Sequence, residues 1–371
     1  MADSQTLCFR CKEPCVRNGA CARCKTPYCG RACQKADWQG NHRQLCDFVR
    51  TADSRAAEAA SAAEAACKSD VVRGATCYIC LTEGPGLVRG CACRGDAGYA
   101  HVRCLVRAEA ELGRESRDGP GQCPTCRQFY HGVVRLAVAW GEWRAVARCN
   151  SKRFFDALRE LGMALNECDQ HEDALVLMQC RLKIIKSWWP QLEGRELLEC
   201  QVNYAGEQTN LANILGSLGR DDEACGIHRE SFGILKRHIG GEAPQTITVA
   251  LNLASSLKVT RHFQEARKLL EEMLPVSRKV MGLLDESTIK MAVLLGDVLQ
   301  ACEIRPDGNM GLSLDTARAV AKLYDEGYAS SRRLFGDDHP ETRDNRWRAE
   351  GMRKMFQEQG ISLEPEAPHP A

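Results

Sequence analysis

The chain lacks any apolar run near the roughly 18 residues needed to span a bilayer, so no membrane span is expected. Aromatic residues are few, at 6 %, and Pro is modest, at 13 of 371 residues, which excludes a collagenous chain and one disordered throughout. An excess of one charge is also missing. Lys and Arg number 50 against 49 Asp and Glu, a formal net charge of +1, so no chain-wide field favours nucleic acid. The first fifty residues carry nine Lys or Arg against four acids, but seven thiolates on two zinc ions would cut that excess to about +2. Nucleic acid is therefore not an expected partner. Met1 is followed by a polar stretch with no signal-peptide pattern, which leads us to expect a soluble, non-secreted protein of the cytoplasm or nucleus. The length allows two or three units, at roughly 100 to 200 residues each.

What is abundant is cysteine. In a reducing compartment, 22 Cys point to metal binding rather than disulfides. Cys77, Cys80, Cys91, Cys93, His101, Cys104, Cys123 and Cys126 give C-x2-C, x10, C-x-C, x7, H-x2-C, x18, C-x2-C. Eight such ligands can close two tetrahedral zinc sites, because a pair two residues apart reaches one ion from a single tight turn. Spacing alone does not decide which pairs share an ion. Four-Cys sites could carry iron, but paired ligands at these spacings favour zinc.

The pattern resembles the RING-CH (RINGv) finger. A PHD finger has the same ligand order, but Gly121 stands where that family expects Trp, and the x7 gap is long for it. The RING-CH resemblance implies interleaved sites, Cys77, Cys80, His101 and Cys104 on one ion and Cys91, Cys93, Cys123 and Cys126 on the other. It also implies an E3 ubiquitin ligase without a covalent catalytic Cys, one that holds a ubiquitin-charged conjugating enzyme. Ile79, Pro124 and Arg127 match the positions where such fingers contact that enzyme and ubiquitin. One departure stands out: many RING-CH fingers carry a Trp about four residues after the sixth ligand, and Ala108 stands there.

Residues 1–50 hold a second set. Cys8, Cys11, Cys21, Cys24, Cys29, Cys33, His42 and Cys46 follow C-x2-C, x9, C-x2-C, x4, C-x3-C, x8, H-x3-C. This resembles the MYND finger, with Tyr28 and Trp38 where that family places aromatics. The implied pairing is Cys8, Cys11, Cys29 and Cys33 on one ion and Cys21, Cys24, His42 and Cys46 on the other. Gln34 and Trp38 match the family's groove for proline-containing peptides. Four structural zinc ions are expected in all, each with a closed ligand set, which disfavours metal-centred hydrolysis. No SET-like stretch accompanies the finger, so methyl transfer is not expected.

Between the fingers, residues 51–76 read as a linker. Nine of the sixteen residues from Thr51 to Ala66 are Ala, which favours helix yet offers no large apolar stripe to bury. The expectation is an exposed helix or tether that spaces the fingers. The finger at 77–127 is followed by a connecting helix at 128–150, whose Val133, Val134, Leu136, Ala137, Trp140, Trp143 and Val146 have near-helical spacing suited to packing.

From 151 to 360 the chain repeats. Leu211-Ala212, Glu223-Ala224, Gly240 and Thr246 recur 42 residues later as Leu253-Ala254, Glu265-Ala266, Gly282 and Thr288. An earlier copy has Leu161-Gly162 and Asp173-Ala174, and a later one Leu295-Gly296, Gly336 and Thr342, with about 12 residues inserted near Arg305 to Thr316. The pattern resembles tetratricopeptide repeats of the kinesin-light-chain type, whose turn is similar to residues 336–342. The resemblance implies a surface for peptide or protein ligands, with Ala212, Ala224, Ala254 and Ala266 in the core. Residues 361–371, rich in Pro, should be disordered. The fold class expected is two small cross-braced zinc modules followed by an all-α tetratricopeptide-like solenoid.

Overall fold

Ligand-bearing loops alternate with helices along the first part of the chain. The computed structural model describes residues 7–13, 15, 19–91, 93, 98–112, 122, 123, 125, 126, 128–149, 151–303, 312–337 and 339–358. Pro124, Arg127, most of the predicted insertion and the tail at 361–371 lie outside these residues. The chain forms two units, Met1–Gln191 and Leu192–Ala371.

In the first unit, α1 (Arg31–Asp37) runs through one widened turn at Trp38–His42 into α2 (Arg43–Arg50), and α3 (Ala52–Cys67) follows. A short antiparallel pair, β1 (Leu87–Val88) and β2 (Ala100–His101), sets Leu87 opposite His101. Next come α4 (Val102–Leu112), α5 (Gly132–Val146), α6 (Lys152–Glu167) and α7 (His171–Trp188).

The stretch expected to be an exposed spacer is instead part of the core. In α3, Ala52, Ala56, Ala63 and Cys67 are buried, and the helix packs along α5. The stripe is made of small residues, which a search for bulky side chains passes over. Alanine lets two helix backbones approach closely while adding helix propensity. Ala63 and Cys67 join Leu87, Val88, Tyr99 and Val134 in one cluster that also roofs the second finger. Arg55 of α3 pairs with Asp173 of α7 and lies over the rings of Phe48 and Trp140.

Helix α5 is the element both fingers rest on. Trp143 is fully buried and its indole N–H donates to the Phe48 carbonyl at 3.0 Å, while Trp140 stacks on the Phe48 ring. Arg148, just past the helix, donates to the carbonyls of Cys24 and Val49. On the other side, the contact with the second finger interlocks both ways: Val106 of α4 fills the space left by Gly141 of α5, and Val134 of α5 fills that left by Gly90. Helices α6 and α7 pack on α5 and α2. The first repeat copy therefore groups with the fingers, and the boundary between units falls inside the 151–360 stretch.

The second unit is helical: α8 (Gly194–Ser217), α9 (Asp221–His238), α10 (Pro244–Val259), α11 (Phe263–Val280), α12 (Glu286–Cys302), α13 (Leu314–Phe335) and α14 (Pro340–Glu358). The repeat motif builds its turns. Within the helix pairs α8/α9 and α10/α11, and in α6/α7 of the first unit, a left-handed residue stands at Gly219, Arg261 and Asp169. The next N–H then reaches back five residues, Arg220 to Leu215, His262 to Leu257 and Gln170 to Leu165, closing a Schellman cap. Between pairs, Gly240, Gly282 and Gly336 all have φ near +90°, a region open mainly to glycine. The recurring Gly of the sequence is thus a backbone requirement. Ala212, Ala224, Ala254 and Ala266 are buried, as the repeat resemblance implies.

Candidate metal centres

Each C-x2-C pair folds its own knuckle. After Cys11, Cys24 and Cys80, the residues Lys12, Lys25 and Leu81 adopt left-handed φ of 63°, 64° and 58°. Their N–H groups donate back to the carbonyls of Cys8, Cys21 and Cys77. The chain is pinched further by Cys8 to Glu13, Cys21 to Thr26, Cys77 to Thr82 and Cys123 to Gln128, and by short bridges such as Thr76 to Glu83. Such a turn points both thiols at one spot while leaving few backbone groups unpaired.

Four sets of ligand atoms result, each within 4.8 Å of one another: Cys8, Cys11, Cys29 and Cys33; Cys21, Cys24, His42 and Cys46; Cys77, Cys80, His101 and Cys104; Cys91, Cys93, Cys123 and Cys126. These are the interleaved sets that the two resemblances imply. Sulfur separations of 3.5 Å for Cys11 and Cys29, 3.8 Å for Cys21 and Cys46, and 3.7 Å for Cys93 and Cys123 exceed a disulfide bond. Thiolates on one tetrahedral zinc at about 2.3 Å should lie roughly 3.8 Å apart, so the donor sets fit zinc. All 22 cysteines are free thiols. Bound there, zinc acts as a structural staple.

The imidazoles use different nitrogens. His42 turns Nε2 to Cys24 at 3.3 Å, and its Nδ1 faces Asp37 at 3.7 Å. Asp37 in turn accepts from the Tyr28 hydroxyl. This carboxylate orients the ring and selects its tautomer, as partners behind metal-bound histidines do. His101 instead presents Nδ1, at 3.4 Å from Cys80 and 3.8 Å from Cys104. Neither Asp37 nor its role carries a spacing signal in the sequence.

Thiolate character is prepared locally. Thr82, two residues past Cys80, bonds its sulfur through hydroxyl and backbone and holds that thiol down at about 6. Burial pushes Cys24 up, but bonds from His42 and Thr26 outweigh it and bring the thiol to about 6. Gly98 closes the last set. At φ +85°, a Cβ there would stand 2.5 Å from the Cys93 Cβ and 3.3 Å from the Cys91 sulfur.

The predicted contact residues are dispersed. Gln34 and Trp38 are half-buried on the α1–α2 segment, with the Trp38 ring 5.8 Å from that of His42. Ile79 is half-buried in its knuckle, whereas its neighbour Leu81, which no ligand spacing singles out, is 77 % exposed. Ala108 is half-buried on α4. Pro124 and Arg127 fall on undescribed positions. Among the described residues, no helix is long and apolar enough to cross a membrane.

Comparison with known proteins agrees with part of this picture. The MYND finger family matches residues 8–46, and a tetratricopeptide repeat family matches residues 208–244 and 246–287. The finger at 77–126 stands outside these matches. A search of curated proteins finds no match. Among solved structures, a single-substitution variant of a Podosopora anserina protein described as a putative kinesin light chain, with nearly identical TPR-like repeats, is 17 % identical, at TM-score 0.41, over 55 % of this chain and 85 % of that one. A second crystal structure of that Podosopora anserina protein gives 18 % identity at TM-score 0.40, over 55 % and 86 %. BtubC (BKLC) from P. vanneervenii is 16 % identical at TM-score 0.38, over 64 % and 96 %. The chain joins a MYND finger and a second cysteine-rich zinc module to an all-helical array of tetratricopeptide-like repeats, a combination of zinc-stapled and protein-interaction modules.

Proposed function

We propose that this chain is a zinc-dependent E3 ubiquitin ligase of the RING type, in which the finger at 77–126 holds a ubiquitin-charged conjugating enzyme and the MYND and repeat modules recruit substrate. The observation that supports it is the pair of interleaved ligand sets in the second finger, with the Ile79–Leu81 knuckle at the surface. The finger supplies no nucleophile. It restrains the thioester of the bound enzyme in a reactive geometry, so that rate comes from orientation. An apolar knuckle suits this, because a shallow docking site draws its affinity from a few desolvated side chains.

The test is autoubiquitination by the full zinc-loaded chain with activating enzyme, ubiquitin and a panel of conjugating enzymes. Chains should form with at least one enzyme, vanish in Cys77→Ser, and fall at least tenfold in a folded Ile79→Ala protein. If Ile79→Ala ligates at the wild-type rate, the assignment of the docking knuckle fails. A second reading, a non-enzymatic adaptor, is favoured by Ala108, which leaves α4 without the large aromatic of many RING-CH fingers. Absence of chains with every enzyme, from protein carrying its full zinc, would select that reading.

A further inference from the structure

A groove of about 800 Å³ opens in the first unit, walled by the MYND finger on one side and by α6 and α7 on the other. It uses a different face of the finger from Gln34 and Trp38. Asp37, Asn41 and Leu45, four residues apart, line it, whereas Gln34 and Trp38 do not. Its size falls among ligand sites, roughly 300 to 1,000 Å³.

Three kinds of group converge there. Phe9, Phe154, Phe155 and Trp188 make the apolar wall; Phe9 meets Phe154 edge-on at 5.1 Å, and Phe155 meets Trp188 at 4.9 Å. Among the described residues, the Oδ1 atom of Asn41 is buried without a hydrogen-bond partner, a cost of about 1 to 3 kcal/mol that a donor from a ligand would relieve. Arg10, Lys12 and Lys152 line the groove, and none forms an ion pair among the described residues. The single lining carboxylate, Asp37, is already held by Tyr28 and faces His42. Thiolates of the loaded zinc sites offset Arg10 and Lys12 at the Cys11 end, which leaves Lys152 on α6 as the uncompensated cation of the opposite wall.

We infer that this groove binds an extended peptide segment of another protein, in which a large apolar side chain sits next to a carboxylate. The apolar side chain lies on the Phe155–Trp188 wall, a peptide N–H donates to Asn41, and the carboxylate meets Lys152. A peptide supplies all three groups within two or three residues. This names a partner class for the recruiting modules, and it stands whether or not the second finger ligates ubiquitin, because its test reads binding alone.

The probes are fluorescein-labelled heptapeptides with a central pair drawn from Leu, Phe, Tyr and Trp, flanked by Glu pairs, and a matching set flanked by Lys pairs. Anisotropy with the full zinc-loaded chain should show binding by Glu-flanked members and at least tenfold weaker binding by their Lys-flanked counterparts. Trp188→Ala should weaken the binders at least tenfold, and Lys152→Glu should narrow or reverse the preference between the sets. Both positions are partly exposed, and unchanged zinc content and circular dichroism would show that the variants fold. Trp347→Ala, at an exposed Trp of α14, should change nothing. The inference is overturned if no Glu-flanked member binds, if the two sets bind equally, or if both groove variants bind like wild type. It is also overturned if sedimentation reveals a dimer that Trp188→Ala dissolves, since the groove would then be a contact between two copies.

Discussion

Gly98 stands where the backbone turns left-handed against Cys91 and Cys93, two ligands of one zinc site, and a methyl group there would overlap Cys93. Gly98→Ala should therefore lower bound zinc from four ions per chain to about three, measured by metal analysis, with the MYND sites intact. Two titratable groups, one half-buried and one buried, act on stability with opposite sign. Glu142 of α5 has its carboxyl raised to about 7, by burial first and then by Glu109. A raised carboxyl binds a proton in the folded state that the unfolded chain has released, so its contribution is complete below about 4.5 and is lost as pH rises through 7. His228 is lowered to about 4 by burial, with Nδ1 against Ser256 at 2.9 Å. Its contribution is complete above about 6.5 and is lost as pH falls through 4. Glu142→Gln should then raise the melting temperature at pH 8, by an equivalent on the order of 2 kcal/mol, and leave it nearly unchanged at pH 5. Equal gains at both values would place the effect elsewhere.

At the scale of elements, the repeats can be edited by their own logic. Arg261 occupies the left-handed cap position that Gly219 fills in the preceding pair, and its side chain is exposed. Arg261→Gly should stabilise the second unit by roughly 0.5 to 1 kcal/mol in urea unfolding, because it removes the Cβ penalty of that conformation. The reverse holds at Gly296, where the repeat column has Ala212 and Ala254 in the middle copies and Gly162, against Met178, in the first. A Cβ there would lie 2.6 Å from the Tyr324 ring, whose hydroxyl donates to Asp297. Gly296→Ala should cost about 1 to 3 kcal/mol through overpacking. The same column thus takes Ala or Gly according to the neighbour on the next helix, and the sequence displays the column but not the neighbour. Helix α3 carries the same lesson further: its alanines signal helix, while its burial depends on α5, more than 60 residues later in the chain.

For the whole molecule, zinc and helix packing hold different parts. The helical unit from 192 onward has its own buried cluster, from Cys225 to Phe356, and contains none of the four ligand sets. A strong chelator should unfold both fingers and leave much of the helical circular dichroism in place, with a melting transition for the second unit that survives metal loss. Loss of all helical signal on chelation would contradict that division.

The ligand sets, the two finger modules and the repeat register were legible in the sequence, since each rests on residue type at fixed spacing: a tight turn brings a C-x2-C pair to one ion, and a left-handed turn asks for glycine. The tertiary structure alone decided the rest. It seated both fingers on α5, made an Ala-rich stretch into core, placed Asp37 behind His42, and brought Phe9 and Asn41 to one groove with Lys152 and Trp188. Those relations join positions far apart in the chain, and they follow from which surfaces bury one another, a property that no local spacing encodes.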